Sequence, residues 1–446
     1  MPPTTPTPLI KVDIKKPAAD QGVLHNRWHP DIPAVGTVEV GEVFRVETID
    51  WTNGQIKDDD SAEDMKNVDL TCVHNLSGPV AVNDKEGKPA QPGDLLVVEI
   101  LNLGAREGDE WGYTGIFDRD NGGSFLTDHF PHACKATFHF ISNLSSPPFV
   151  RFPGLIHPGL IGTAPSHELL KIWNERESHL VEQGEAAITL GSVCHTRPLA
   201  LLPNAKGATL GTLPKGPAWD KAAGEAARTI PGRENGGNCD IKNLSRGCKV
   251  YFPVFVEGAN LSVGDLHFSQ GDGEISFCGA IEMSGWLDFK CDIIRGGMDK
   301  YLTPMGPTKL HVNPIFEIGP LEPRFSEWLV FEGVSVDESG RQHYLDATVA
   351  YKRAVLNCVD YLSKFGYSKE QVILLLSCCP CEGRVSGIVD VPNACCTLAI
   401  PTAIFDQDIR PKHEGPPVGP KLVQRGSCPR VPYQGKLPVT KNPCMH

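Results

Sequence analysis

Residues 261–290, LSVGDLHFSQGDGEISFCGAIEMSGWLDFK, indicate the fold class of this protein. Short apolar runs alternate with Gly-Asp and Asp-Gly pairs, a pattern typical of neighbouring strands joined by tight turns. Three other stretches, 36–50, 92–104 and 249–258, carry alternating or β-branched apolar residues between turn residues,. The sequence therefore predicts a mainly β protein.

Two helices are predicted near the C-terminus. Apolar residues spaced three and four apart mark one face of the first helix: Ala347, Tyr351, Val355, Val359 and Leu362,. Gly366 ends that helix. Ser368, followed three residues later by Gln371, predicts a capping box that begins the second helix,. These helices are the main α addition to the β core.

The organisation along the chain follows changes in composition. We expect an N-terminal arm (1–20), a β-rich N-terminal part (21–200), a loop or lid rich in Ala, Gly, Pro and Lys (201–235), a β-meander with the chemistry-bearing motifs (236–345), the helical pair with a closing segment (346–410) and a Pro/Gly-rich tail (411–446),.

Composition excludes several classes of protein. The chain has 446 residues, with 54 acidic and 42 basic side chains and a formal charge of −12. Nucleic-acid binding needs a basic face, which is absent here. No apolar window is long enough for a membrane span, and the first residues do not resemble a signal peptide,. The 15 cysteines are therefore expected to be reduced thiols of a cytoplasmic protein,.

Most of the chemistry-bearing residues lie between 233 and 282. Asp265 and His267 are two residues apart, so they share one face of a strand,. Asp272-Gly273 is a tight-turn dipeptide that would bring Glu274 back alongside them. This pattern suits a divalent metal site of His/carboxylate type or an acid/base pair without metal. It is also compatible with ordinary turn chemistry.

Other polar clusters allow weaker interpretations. His25 and His29 are expected to be structural, because Pro30 disfavours the helix that a His-x3-His metal pair needs. Cys378-x-x-Cys381 follows a helix, and buried inert thiols are the expected state. The acidic segment around residues 58–64 is either a solvated loop or a loop that binds a cation or faces the active site.

Three motifs at this cluster resemble the acetamidase/formamidase family: GGNCDIK (236–242), VGDLH (263–267) and QGDGE (270–274). Further similar motifs lie upstream, at LHNRWHP (24–30), HNLSGPV (74–80) and HPGLIG (157–162). Downstream, GRVSGIVDVPN (383–393) resembles the longer, formamidase branch. The resemblance extends from about residue 10 to about residue 410.

This resemblance implies a jelly-roll-like β-sandwich core and hydrolysis of formamide, with other small aliphatic amides, to the carboxylate and ammonia. It also implies a homo-oligomer, a dimer, trimer or hexamer, and a divalent metal, with zinc as the first candidate. The expected partner is thus a small amide, with no nucleic acid and no membrane.

Two mechanisms fit the residues under this resemblance. In the first, His267 and two carboxylates from Asp240, Asp265 and Asp272 hold the metal, and Glu274 takes a proton from water. In the second, Glu274 or Asp272 activates water directly, Asn238 and the backbone of Gly236 and Gly237 stabilise the oxyanion, and Lys242 adds positive charge.

The sequence also offers residues for the substrate pocket and leaves two alternative functions open. His157 and Trp51 are further candidates for substrate binding, and Trp28 and Phe268 are candidates for the pocket wall. One alternative is a hydrolase of small cyclic amides. The other is a non-enzymatic β-rich scaffold or small-ligand binding protein, which Glu274→Gln would leave unaffected.

Overall fold

The computed structural model of the protein describes residues 6–416, apart from 60, 124, 141–143, 146–149, 190–198, 320–323 and 414. The predicted C-terminal tail therefore lies almost entirely outside the described residues. Within them, no helix has both the length and the apolar character needed to cross a membrane.

The strands in chain order are β1 (Pro8–Ile10), β2 (Leu24–His25), β3 (Arg27–Trp28), β4 (Gly36–Glu39), β5 (Val43–Thr48), β6 (Leu76–Asn83), β7 (Leu95–Ala105), β8 (Trp111–Ile116), β9 (Cys134–His139), β10 (Leu144–Ser145), β11 (Phe152–Pro153), β12 (His157–Gly162), β13 (Ala227–Arg228), β14 (Gly232–Arg233), β15 (Gly236–Asn238), β16 (Lys249–Pro253), β17 (Leu261–Gln270), β18 (Phe277–Met283), β19 (Gly285–Ile294), β20 (Ile315–Glu317), β21 (Trp328–Val334), β22 (Glu382–Gly387) and β23 (Cys395–Pro401).

The α-helices of the described residues are α1 (Glu63–Asn67), α2 (His167–Thr189), α3 (Pro217–Glu225), α4 (Gly297–Tyr301), α5 (Ala347–Ser363) and α6 (Lys369–Cys378). The predicted capping box at Ser368 and Gln371 is present at the start of α6. The fold class is thus confirmed as mainly β with a helical pair near the C-terminus.

Two large sheets share the main core. One has six strands in the order β1-β5-β19-β7-β16-β20, and the other has ten strands built around β12-β17-β18-β8, with β6 also pairing with β17. The chain crosses from the ten-stranded sheet to the six-stranded sheet between β18 and β19. Apolar residues of both sheets, such as Val98, Phe289, Val263 and Leu266, form one buried cluster,.

A smaller unit follows the two sheets in sequence, and we call residues 328–405 the C-terminal module. Its sheet has the order β21-β23-β22, and α5 packs on β21 and β23. The buried face of α5 carries Ala354, Val355 and Leu362. Helix α6 contacts β18 and β8 of the ten-stranded sheet. The C-terminal module therefore rests directly on the sheet that contains β17.

Two segments differ from the predicted secondary structure. Helix α2 was not predicted, because most of its residues are polar. Among the apolar side chains that the structure describes in it, at 167–184, only Leu169, Leu170 and Trp173 are buried. The segment predicted as a loop or lid contains α3, β13 and β14. Small alanines, Ala222 and Ala223, form the buried face of α3, so the usual pattern of large apolar residues is missing.

Candidate active site

Strand β17 carries the central side chains of the site. All ten of its residues are buried, and it pairs with β12, β18 and β6. The spacing predicted that Asp265 and His267 share a face, and their side chains lie 3.4 Å apart, from Oδ1 to Nε2. A strand paired along both edges provides a rigid support for these groups.

Neighbouring segments bring four more polar residues to the same place. His157 on β12 and Glu282 on β18 lie opposite His267 in the two flanking ladders. Asp240 follows β15, and its N–H donates to the carbonyl oxygen of Gly159 at 3.1 Å. The turn after β17 returns Glu274, as predicted. The ligand atoms of Asp240, His267 and Glu274 lie within 4.8 Å of one another, as do those of Asp265, His267 and Glu282.

The backbone at the site adopts conformations that side chains normally avoid. Asp240, Asp265, Glu274 and His74 have φ values of +47°, +53°, +45° and +55°. A left-handed backbone costs a residue with a side chain roughly 1 kcal/mol or more. The fold around the site must supply this free energy, as is common where side-chain direction matters for function.

A chain of hydrogen bonds fixes the proton on His267. His157 Nδ1 donates to the carbonyl oxygen of Leu155 at 2.7 Å, so Nε2 of the neutral ring carries no proton, although it also lies 2.9 Å from Gln270 Oε1,. His267 Nδ1 lies 3.2 Å from this Nε2 and 3.0 Å from Gln270 Oε1, and its N–H is shared between them. Gln270 in turn donates to the carbonyl oxygen of Asp240 at 2.7 Å. His267 Nε2 therefore faces the carboxylates, carrying either a proton or a cation.

Burial sets the charge state of the surrounding carboxyl groups. Burial and the negative charge of Asp265 raise the pKa of Asp240 to about 7. Burial raises the pKa of Glu282 to about 8, despite the opposing effect of His267. Burial and the charge of Asp240 raise the pKa of Glu274 well above its usual value. Several carboxyl groups crowded in one dry site cannot all be ionised without added positive charge.

Burial and neighbouring charges shift the pKa of three histidines of the site in different directions. Burial lowers the pKa of His157 to about 3 and lowers the pKa of His74 as well. Burial also opposes protonation of His267, but Glu282 and Asp265 raise its pKa well above the usual value. Although burial alone would raise the pKa of Asp265, the neighbouring imidazole of His267, with a smaller effect from His74, lowers it to about 2.

The central donor atoms fit a divalent cation. Four buried atoms there, within the described residues, lack a hydrogen-bond partner: Asp240 Oδ1, Asp265 Oδ1, His267 Nε2 and Glu282 Oε2. The contacts of His267 Nε2 with Asp265 and Glu282, at 3.4 and 3.2 Å, are ionic but lack the alignment of a hydrogen bond. An imidazole nitrogen among carboxylate oxygens is the donor set that zinc and related ions accept.

Gly159, which has no side chain, leaves room between His267, Asp265 and Asp240. A Cβ built on Gly159 would lie 2.5 Å from His267 Cε1, 2.6 Å from Asp265 Oδ2 and 2.8 Å from Asp240 Oδ1. Any larger residue would fill the gap between the three side chains. The glycine of the HPGLIG motif thus keeps the centre of the cluster open.

Lys242 and Asp272 lie beside this cluster and face each other. Lys242 Nζ is 2.8 Å from Asp272 Oδ1 and donates to the carbonyl oxygen of Cys381 at 2.8 Å. Asp272 Oδ2 accepts the N–H of Gly383 at 2.9 Å. Asp272 belongs to neither group of converging ligand atoms. The catalytic roles predicted for these two residues remain predictions.

The predicted substrate-binding residues occupy different places. Asn238 is two residues from Asp240, and its Oδ1 is a buried acceptor without a hydrogen-bond partner. Gly237 lies in the ladders that join β15 to β12 and β14. Trp51 packs on His74, with ring centroids 4.9 Å apart, and His74 Nδ1 lies 3.8 Å from Asp265 Oδ2.

The two other aromatic candidates lie away from the cluster. Phe268 follows His267 on β17, so it points to the opposite face and stacks on Phe140 in the core,. Trp28 packs with Trp173 in a separate buried cluster. The expectation that Phe268 and Trp28 line the pocket is therefore wrong. For Phe268, the reason is the simple alternation of side chains along a strand.

Three site residues were not singled out from the sequence: Glu282, His74 and Gln270. Glu282 is a charged residue within the apolar run of β18, between Ile281 and Met283, and this contrast could have identified it. His74 and Gln270 gave no pattern of their own, because their contacts depend on the packing of distant segments.

Comparison with known proteins gives a consistent result. The family model described as "Acetamidase/Formamidase family" matches residues 11–407. A formamidase of Methylophilus methylotrophus is 51% identical, over 92% of this chain and 96% of that protein. A putative formamidase of Schizosaccharomyces pombe is 52% identical, over 95% of this chain and 98% of that protein.

A solved structure is also similar. The γ-lactamase from Delftia acidovorans superimposes with a TM-score of 0.84 and 54% identity, covering 92% of this chain and 95% of that chain. The similarity therefore includes both large sheets, the buried cluster and the C-terminal module.

Proposed function

Because this chain belongs to the acetamidase/formamidase family, we propose that it hydrolyses formamide, and other small aliphatic amides, to the carboxylate and ammonia. It is an amidohydrolase acting on linear C–N bonds. The observation that carries the proposal is the polar cluster around His267: the ligand atoms of Asp240, His267 and Glu274 lie within 4.8 Å of one another, as do those of Asp265, His267 and Glu282. Gly159 leaves space beside His267, Asp265 and Asp240.

His267, Asp240 and Asp265 would hold a divalent ion, zinc first, and Glu282 offers a further buried oxygen. When bound, such an ion supplies positive charge that polarises an amide carbonyl and makes water more acidic. The unpartnered donor atoms at the centre support this assignment. A metal-free alternative assigns the same positive charge to protonated His267, between Asp265 and Glu282.

Glu274 is the proposed general base and acid. Its carboxyl group contacts that of Asp240 and lies at the same centre as His267. From there it can take a proton from the attacking water and return it to the departing ammonia. Asn238 Oδ1, a buried acceptor without a hydrogen-bond partner, is the proposed acceptor of an N–H of the substrate amide. This oxygen would orient the C–N bond toward Glu274.

We propose that the site selects its amide substrate by size and admits only small amides. Formamide has few atoms, so it can gain little binding energy and must be selected by fit. A groove of about 550 Å³ lies along α2 and residues 307–311, but it contains none of the cluster residues. Within the cluster, Asp265, His267 and Glu282 are buried and Asp240 and Glu274 are only partly exposed, which supports a very small substrate.

The test is ammonia release from formamide by the purified protein, before and after treatment with a strong chelator. Loss of release that returns with added zinc supports the amidase and the metal together. Release that survives verified metal removal keeps the amidase and excludes the metal. Glu274→Gln should remove turnover from a folded protein, whereas a scaffold or ligand-binding protein would show no turnover in either form.

A cyclic amide is the second candidate substrate, because the similar solved structure is named a γ-lactamase. The same assay with acetamide and γ-butyrolactam decides the order of preference. If kcat/KM is higher for the lactam than for formamide, the proposed substrate class must change. The proposed chemistry at Glu274 would remain.

We also propose a homo-oligomer in the cytoplasm. Val385, Val389 and Val391 expose more than half of their side chains at one end of the C-terminal module, which supports self-association,. The described cysteines are free thiols, which suits a reducing compartment,. Light scattering coupled to gel filtration gives the subunit number, and a monomeric mass would contradict the first part.

A further inference from the structure

The ion pair between Lys242 and Asp272 lies beside the proposed catalytic cluster. We propose that this pair is a positioning clamp that holds Asp240 and Glu274 against each other. The inference rests on the proposed amidase function, and it assigns to Lys242 and Asp272 a role other than direct chemistry.

The position of the pair in the sequence is the first argument. Lys242 comes two residues after Asp240, and Asp272 comes two residues before Glu274. The same two segments therefore meet twice, once through the ion pair at 2.8 Å and once through the contacting carboxyl groups. Fixing the ion pair therefore limits how far the carboxyl groups of Asp240 and Glu274 can move apart.

The two carboxyl groups need such a restraint. Asp240 and Glu274 both have a left-handed backbone, which relaxation of their loops would relieve,. Their side chains also repel each other whenever both are ionised. Neither residue lies in a strand or helix, so backbone ladders alone do not hold them. A link between the two loops opposes both tendencies.

The hydrogen bonds around the pair provide this link from a third segment. The N–H of Asp272 and Nζ of Lys242 both donate to the carbonyl oxygen of Cys381, at 3.3 and 2.8 Å. Asp272 Oδ2 accepts from the Gly383 N–H, and its carbonyl oxygen accepts from the Tyr351 hydroxyl at 2.7 Å. Asp272 is thus held at its amide, its carbonyl and both carboxylate oxygens.

The turn between β17 and Glu274 packs closely on the C-terminal module. A Cβ on Gly271 would lie 1.8 Å from the carbonyl oxygen of Leu376 and 2.7 Å from Cys381 Sγ. The chain that leaves α6 therefore supports the turn that carries Glu274. Through the clamp, the C-terminal module takes part in the geometry of the site although none of its residues belongs to the converging groups.

Burial holds the ammonium group of Lys242 against its present hydrogen-bond partners. The Lys242 side chain is 9% exposed, and its ammonium group already donates to Asp272 and Cys381. It has little freedom to approach a substrate. A residue that acts through another should tolerate a conservative change, because only the contact has to survive.

The experiment compares Lys242→Met, Lys242→Arg, Asp272→Asn and the double variant Lys242→Met/Asp272→Asn in the formamide assay. We expect Lys242→Met to lower kcat about 10²-fold, since displacement of reacting groups by about 1 Å has effects of this size. KM should change much less. Lys242→Arg should keep most of the activity, and the double variant should be no worse than the poorer single variant, because both changes break one contact.

Hydrogen exchange gives a second readout that does not require turnover. In Lys242→Met, amides of peptides covering 238–244 and 270–276 should exchange faster than in the unsubstituted protein. The matched control is Lys309→Met, which removes an exposed ion pair of the same 2.8 Å length with Asp299. Its activity and exchange at the site should be unchanged.

The outcomes separate the clamp from the proposed function. If the unsubstituted protein releases no ammonia from any amide, the proposed function fails while hydrogen exchange still tests the clamp. Normal kcat and normal exchange in Lys242→Met would overturn the clamp. Equal losses in Lys242→Arg and Lys242→Met with unchanged exchange, or multiplied losses in the double variant, would assign Lys242 to catalysis and also overturn it.

Discussion

Two acidic regions of the molecule behave in opposite ways. In the surface loop at 58–64, the described aspartates that form ion pairs have basic side chains beside them: Asp59 and Asp64 share Lys135, and Asp58 contacts His139. In the buried cluster, several carboxyl groups surround a single imidazole, His267. The sequence alone left a cation-binding role open for both regions.

The pKa values express the difference. A hydrogen bond from Lys135 lowers the pKa of Asp59 in the loop, whereas burial raises the pKa of Asp240 and Glu282 in the cluster. A high density of acidic residues therefore says little about function. Carboxyl groups that lack both water and a cation of their own are the ones that point to a ligand.

The largest expected effect comes from removing Glu274, the proposed acid and base of the cluster. Glu274→Gln should lower kcat for formamide about 10³-fold, because proton transfer to ammonia is lost. Asp64→Asn in the loop is the matched control and should leave kcat unchanged. Equal activities of these two variants would remove the functional distinction between the regions.

Filling the centre of the cluster is the next test. Gly159→Ala places a methyl group against His267, Asp265 and Asp240, so metal content and turnover should both fall, by about 10²-fold in kcat,. Gly224→Ala in α3 is the control, because a Cβ there meets nothing within 4 Å. That variant should be fully active. Normal zinc content and turnover in Gly159→Ala would show that the centre is not the binding space.

Acidic pH should reveal a third kind of titratable group, a buried histidine whose hydrogen-bond partners are uncharged. His25 is fully buried, and burial lowers its pKa to about 4. Its Nδ1 donates to the carbonyl oxygen of Arg27, and its Nε2 accepts from Ser262. The unfolded chain binds this proton near pH 6.5 and the folded protein does not. Stability is therefore fully present above pH 6.5 and lost as pH falls toward 4, by about 3 kcal/mol.

Chemical unfolding at pH 7 and pH 5 measures this loss. His25→Gln keeps a donor and an acceptor but cannot take up the proton, so its unfolding free energy should fall less between the two pH values. An identical fall in both proteins would assign the acid sensitivity to the other buried histidines.

The smallest effect is expected in the surface loop. Lys135→Met removes the cation shared by Asp59 and Asp64, and water reaches the half-exposed Asp59 but little of Asp64,. A lower thermal midpoint with unchanged kcat is the expected result. A large loss of turnover would place this loop in the active site after all.

The sequence predicted four strand regions and the C-terminal helices because their patterns are local. Alternation identified β5, apolar runs separated by turn pairs indicated β17, and the capping box identified α6. Helix α2 escaped because little of it is buried, and α3 escaped because its buried residues are alanines. Periodicity detects a large apolar face and misses a small one.

The site was predictable only where neighbours in sequence are neighbours in space. Asp265, His267 and Glu274 follow from strand alternation and one turn. Glu282 and His157 reach His267 through ladder register, which a single sequence does not give. The contact between Lys242 and Asp272 likewise joins residues thirty positions apart, through the pairing of loops rather than strands.

The left-handed backbone at Asp240, Asp265, Glu274 and His74 has a consequence for engineering. Glycine adopts this conformation freely, so replacing any of these residues by glycine relieves strain while removing a functional group. At these positions, a substitution that raises the stability of the protein therefore lowers its activity. Selection for heat resistance alone would favour inactive variants at these four positions, and a screen for a more robust amidase must therefore score ammonia release on the heated protein itself.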